Sequence, residues 1–146
     1  MRFETQVDQS PLKVFEQFNI TLFKKLNPWW NIMKIVRFDG VQLNGITELR
    51  VGPFKQKFST EITELTGSHF VDIGTSLPFP FTYWKHKHIM MPNINNNKDT
   101  PGTTIVDDIE YECIPILRPL VWLYLYTMFR HRQYKYEIIF RNKETL

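Results

Sequence analysis

Apolar and polar residues alternate at the amino end of the chain. Phe3, Thr5 and Val7 interleave with Arg2, Glu4, Gln6 and Asp8, the period-two pattern of a strand with one buried face. Ser10-Pro11 follows, a capping hydroxyl and a proline suited to the first helical turn, and Leu12, Phe15 and Phe18 then fall on one face of a short helix. A second short helix is predicted over residues 21–26, ended by Asn27-Pro28. Neither helix is long enough to stand alone, so both must pack on something larger. From Ile32 onward the pattern changes to strands punctuated by Asp39-Gly40, Asn44-Gly45, Gly52-Pro53 and Gly67-Ser68. The clearest strands cover residues 54–66, 69–75, 81–90 and 103–114, and the Asn- and Pro-rich stretch 92–102 predicts a mobile surface loop. Residues 116 to about 141 hold no glycine and a single early proline, Pro119, and predict one long helix.

The order is therefore strand, two short helices, about six strands, long helix. A curved antiparallel sheet buries one face, and the terminal helix is the one element long enough to cover it, so the fold class is α+β. The whole chain, 1–146, is expected to form one domain, because its 146 residues bury one real core and would leave two halves marginal.

Strand alternation then sorts the later side chains by face. Over residues 103–113, Thr103, Ile105, Asp107, Ile109, Tyr111 and Cys113 share the apolar face, opposite Thr104, Val106, Asp108, Glu110 and Glu112. Over 81–90, Thr82, Trp84, His86, His88 and Met90 share a face, and Lys85 and Lys87 assign the other, with Phe81, Tyr83 and Ile89, to solvent. Trp84, His86, His88, Asp107 and Tyr111 are thus expected on one concave surface, joined by Phe70 and Asp72 from the neighbouring strand. On the terminal helix, Leu120, Leu123, Tyr124, Thr127, Met128, His131 and Tyr134 recur at helical spacing and form the expected cavity-facing stripe, with Trp122, Leu125, Tyr126 and Phe129 on other faces.

Several stretches resemble the landmarks of the START and Bet v 1-like superfamily, the SRPBCC proteins. They are Ser10-Pro11 through Phe18, Arg37-Phe38-Asp39-Gly40, residues 70–74, Leu77-Pro78-Phe79-Pro80-Phe81, Trp84-Lys85-His86-Lys87-His88 and Thr104-Ile105-Val106-Asp107-Asp108-Ile109-Glu110-Tyr111. The resemblance spans nearly the whole chain and is greatest to small stand-alone ligand-binding members of the polyketide cyclase/dehydrase-like kind. It implies a helix-grip fold, a sheet wrapped around the terminal helix with a cavity between them, and a hydrophobic small molecule as partner. The family includes lipid and hormone binders and aromatase/cyclase enzymes, so resemblance supports a cavity better than any one chemistry. The ligand-contacting set it suggests here is Trp84, His86, His88, Asp107, Tyr111, Phe70, Asp72, Phe58, Tyr124 and Met128.

The polar members of that set carry the chemistry. Buried without partners, each would cost roughly 1–3 kcal/mol, so they should pair with one another or with water. One outcome is a structural hydrogen-bond network pinning two strands; another is the polar end of a ligand pocket. His-x-His with Asp107 or Asp72 is also a minimal metal set, but two imidazoles and no thiolate make a weak one, and neither metal nor other cofactor is expected. A His held by an Asp is an acid–base pair of the kind a cyclase or dehydratase would use. No nucleophile elbow, glycine-rich phosphate loop or paired-carboxylate motif is present, and non-catalytic binding is the expected activity.

Composition adds two constraints. Twelve Phe, six Tyr and four Trp in so short a chain supply rings for a core or for a cavity wall. The formal charge of +3 is too modest for a general nucleic-acid binder. Cys113, the sole cysteine, allows no intrachain disulfide, and the first residues lack the apolar core of a signal peptide, so the cytoplasm is the expected location. The apolar run over residues 120–129 is too short to span a bilayer, and no stable membrane insertion is expected. Beside Arg130, His131, Arg132 and Lys135 it reads as core or as a homodimer contact in preference to a membrane-surface helix.

Overall fold

A computed structural model describes residues 1–93 and 101–141. The elements follow the predicted order: β1 (Arg2–Val7), α1 (Pro11–Glu16), α2 (Ile20–Leu26), β2 (Met33–Phe38), β3 (Ile46–Val51), β4 (Gln56–Leu65), β5 (His69–Ser76), β6 (Phe81–Asn93), β7 (Gly102–Cys113), a 3-10 turn (Pro115–Leu117) and α3 (Arg118–Ile139). The strands form one antiparallel sheet in the order β1-β7-β6-β5-β4-β3-β2. β1 therefore skips the whole chain to pair with the last strand, with Phe3 opposite Asp107 and Val7 opposite Thr103. α3 lies across the concave face, as expected of an element gripped by a curved sheet.

The local signals act as predicted with a few exceptions. Asn19 caps α2, its Oδ1 accepting from the backbone N–H groups of Thr21 and Leu22. Ser10 stands at the N-cap of α1 but its hydroxyl caps nothing, and the buried residue of that helix is Val14, while Leu12 is exposed. β6 and β7 run further into the predicted 92–102 loop than alternation indicated, with Asn93 paired to Gly102; residues 94–100 of that loop lie outside the described residues.

Alternation also fails at the start of β6. A register shift between Phe81 and Tyr83 turns Phe81 inward against Trp84 and Tyr111, and leaves Thr82 exposed. Two apolar clusters fill the space between sheet and helices. One gathers Val14, Leu22, Leu26, Ile62, Phe70, Met90 and Tyr136; the other gathers Phe3, Trp84, Ile109, Val121, Leu125 and Phe129. Between them sits a group of buried polar side chains. Among the described residues no helix is long and apolar enough to cross a membrane.

Candidate functional site

The polar group is assembled by strand register. Asp72 on β5 is directly opposite His86 on β6, and His88 is opposite Asp107 on β7. With side chains alternating across the sheet, these four point to the concave face together. His86 Nε2 is 2.9 Å from Asp107 Oδ1, and His88 Nε2 is 3.0 Å from Asp72 Oδ2. A carboxylate only accepts, so each of these imidazole nitrogens donates. The two imidazole rings lie 3.7 Å apart between their centroids, and Trp84 Nε1 donates to Asp72 Oδ1 at 3.3 Å. Phe70 stacks on His88 at 4.2 Å, and Phe129 meets His86 edge-on at 5.2 Å.

Arg132 completes the cluster from α3. Its guanidinium, 8 % exposed, donates to Asp107 Oδ1 at 3.4 Å and to the Tyr136 hydroxyl at 2.7 Å. It also lies over the rings of Phe129 and Tyr136. Burial pushes the Asp107 carboxyl upward, but Arg132 and the two imidazoles outweigh that and hold it well below the usual carboxylate range. Asp72 is likewise lowered, burial being overcome by the His88 hydrogen bond and by both imidazole charges. Arg132 is raised despite burial by the carboxylate beside it, and burial raises the Tyr136 phenol. His88 moves the other way: burial, reinforced by the neighbouring His86, brings it down to about 4. It is therefore neutral at physiological pH, and its Nδ1 is a buried atom without a hydrogen-bond partner, 3.5 Å from Asp107 Oδ1.

A cavity of about 190 Å³ opens beside this cluster, between the sheet, α2 and α3. Of the residues expected from the sequence, Phe58, Phe70, Asp72, Trp84, His86, His88, Tyr124 and Met128 all line it. Two do not. Asp107, 2 % exposed, sits behind His86 and Arg132, close enough to hold both but away from the cavity wall. Tyr111 shares the expected face but stands beyond Phe81, beside Pro115 and Trp122 at the start of the helical segment.

The helix stripe needs a larger correction. The buried row of α3 is Val121, Leu125, Phe129, Arg132 and Tyr136, whereas Leu120, Leu123 and Tyr134 are 66 %, 53 % and 58 % exposed. Nearly every residue between 120 and 129 is apolar, so helical spacing alone could not fix which row faces inward. Arg132, which the sequence reading named only among the basic residues beside the apolar run, is the buried partner of Asp107. The signal that could have found it was charge balance: two inward carboxylates require a cation, and Arg132 lies three residues after Phe129 on the same helix face.

No protein-family model matches the sequence, and no curated protein matches it significantly. Solved structures do match in fold. A START superfamily protein from Mycobacterium smegmatis superposes with a TM-score of 0.64 at 16 % identity, covering 96 % of this chain and 95 % of that one. The protein XoxI from Bacillus cereus gives 0.65 at 12 % identity, covering 96 % and 94 %. The di-domain aromatase/cyclase StfQ of the steffimycin biosynthetic pathway gives 0.62 at 9 % identity over 96 % of this chain and 50 % of its own. At such identities the likeness is one of fold: the chain has the START-like helix-grip architecture.

Proposed function

We propose that this chain holds a hydrophobic or aromatic small molecule, lipid-like or polyketide-like, non-covalently in the cavity beneath α3. The observation that carries this reading is a ring-lined cavity left open beside a buried, hydrogen-bonded polar cluster, with packed apolar clusters on either side. Trp84, Phe58, Phe70, Tyr124 and Met128 supply apolar wall; Asp72, His86 and His88 orient a polar group of the ligand, with Asp107 holding His86 from behind. A cavity of about 190 Å³ suits a body of one or two rings, since one of ~150 Å³ accommodates benzene. The names of the fold neighbours, a START protein and an aromatase/cyclase, agree with a ligand-holding role.

Native mass spectrometry of freshly purified protein should detect a co-purified apolar compound. Binding of an uncharged solvatochromic dye should weaken about tenfold in Trp84→Ala, as expected from losing roughly 55 Å² of apolar contact at ~25 cal/mol per Å². Lys87→Ala, on the outer face, should bind as wild type. Normal binding by Trp84→Ala with loss in Lys87→Ala would reject the reading. A second reading, an acid–base enzyme of the cyclase or dehydratase kind, is favoured by one feature: His86 faces the cavity with Asp107 hydrogen-bonded to its far nitrogen. Recovery of a chemically changed ligand after incubation selects it over simple binding.

A further inference from the structure

We infer that Asp72, His86 and His88 form a binding site for a divalent transition metal, with zinc the best chemical match, at the polar end of the cavity. Asp72 Oδ2 is 3.0 Å from His88 Nε2 and 3.9 Å from His86 Nδ1, and one donor atom from each of the three residues lies within 4.8 Å of the others. Two zinc bonds of ~2.1 Å meeting at a tetrahedral angle place their donors about 3.4 Å apart. The Asp72–His88 separation is already shorter than that, and small rotations of the imidazoles close the Asp72–His86 one. Two nitrogens and one carboxylate oxygen are a ligand set that zinc accepts, with a fourth position left for water or for a ligand group in the cavity.

Three features beyond the spacing support the site. The first is its outer shell: Asp107 Oδ1 accepts from His86 Nε2 at 2.9 Å, which fixes the ring with its Nδ1 lone pair on the Asp72 side. Metal-bound histidines commonly anchor their second nitrogen on a carboxylate in this way. The second is the unpartnered His88 Nδ1, buried and 3.5 Å from the same carboxylate oxygen. With the proton on Nε2, the Nδ1 lone pair faces an anion. A metal on Nε2 moves the proton to Nδ1, which then donates to Asp107, so one carboxylate steadies both imidazoles. The third is charge: the buried cluster sets the carboxylates of Asp72 and Asp107 against the guanidinium of Arg132, which contacts Asp107 at 3.4 Å, and a dication between Asp72 and the imidazoles would balance the second carboxylate. The sequence left Asp107 or Asp72 as the third member of the set; the register between β5 and β6 puts Asp72 opposite His86, with Asp107 on the far nitrogen of that ring.

The test uses metal alone, so it stands apart from the outcome with any organic ligand. Purified protein is stripped with a chelator and titrated with Zn²⁺ against a chromophoric competitor, and separately with Co²⁺, whose visible absorption reports tetrahedral nitrogen and oxygen ligation. One equivalent should bind, with the cobalt spectrum of a low-coordinate site. Asp72→Asn and His88→Ala should each weaken Zn²⁺ binding at least a hundredfold. Asp107→Asn should keep the stoichiometry and weaken affinity 10- to 100-fold, as removal of an outer-shell partner does. The exposed pair His69 and Glu64 is the surface alternative, and His69→Ala should leave binding unchanged. Far-UV circular dichroism identifies any variant that has unfolded, and the cobalt spectrum of the wild-type protein is decisive without variants. Failure to bind one equivalent, an octahedral cobalt spectrum, or binding that survives Asp72→Asn and His88→Ala but is lost in His69→Ala overturns the proposal.

Discussion

Replacing Arg132 by Met separates the charge in the buried cluster from the bulk of the side chain. Methionine keeps most of the stem that packs over Phe129 and Tyr136, but it leaves the Asp107 carboxylate, 2 % exposed, with the imidazoles as its remaining partners. Breaking a buried ion pair from one side typically costs about 3–5 kcal/mol. The Arg132–Asp107 contact is a single 3.4 Å interaction, which places this pair near the lower end, about 3 kcal/mol. The 2.7 Å hydrogen bond to the Tyr136 hydroxyl is also lost, at about 1 kcal/mol. A total of about 4 kcal/mol lowers the melting temperature of a domain this size by roughly 8–16 °C, at ~2–4 °C per kcal/mol. Urea unfolding followed by circular dichroism should show a lower midpoint with an unchanged slope. The Asp107→Asn/Arg132→Met double variant, which removes both members of the pair, should recover about half of the loss. If Arg132→Met costs less than about 1 kcal/mol, or if the two single effects simply add, the buried cluster is not electrostatically coupled and the reasoning fails.

Other positions make separate predictions. A Cβ on Gly74 would stand 2.4 Å from Leu77 Cδ2 and 3.1 Å from Trp84 Cβ, so Gly74→Ala should force Leu77 aside and cost roughly 1–3 kcal/mol in a thermal melt. At Gly102 the added carbon would lie 2.5 Å from the Val7 carbonyl oxygen, which no rotamer change can move. Gly102→Ala should therefore loosen β1, seen as faster amide exchange at Val7 and Thr103; unchanged protection would contradict the close approach of the two strands. Phe129→Ala, which removes a ring touching His86, Phe3 and Arg132, should cost about 3–5 kcal/mol by urea titration.

The sequence disclosed the architecture and half of the site because both depend on short-range periodicity. Alternation along β6 and β7 was enough to put Trp84, His86, His88 and Asp107 on one face, since the side-chain period of a strand is two and needs no partner to read. Long-range facts were not available in that way. That Asp72 is opposite His86 depends on the register between β5 and β6, set by packing and turn geometry over the whole sheet. Phe81 was assigned to the wrong face because one register shift reverses the alternation. α3 was misread for a different reason: a stretch apolar on every side has no preferred face, and the residue that fixes its rotation is the charged Arg132.

The pairing of β1 with β7 bears on how the molecule is made. Arg2 to Val7 find their partners at Asp108 to Thr103, so β1 must wait about a hundred residues of synthesis before its backbone hydrogen bonds to β7 can form. Closing a loop of that length costs roughly 4 kcal/mol of chain entropy before any contact repays it. The β2 to β6 meander can assemble from neighbours as it is synthesised, whereas the edge carrying Phe3 and the seat for α3 forms only once β7 has been made. Until then Phe3, Thr5 and Val7 form an unpaired apolar strand, open to chaperones and to pairing with another nascent copy.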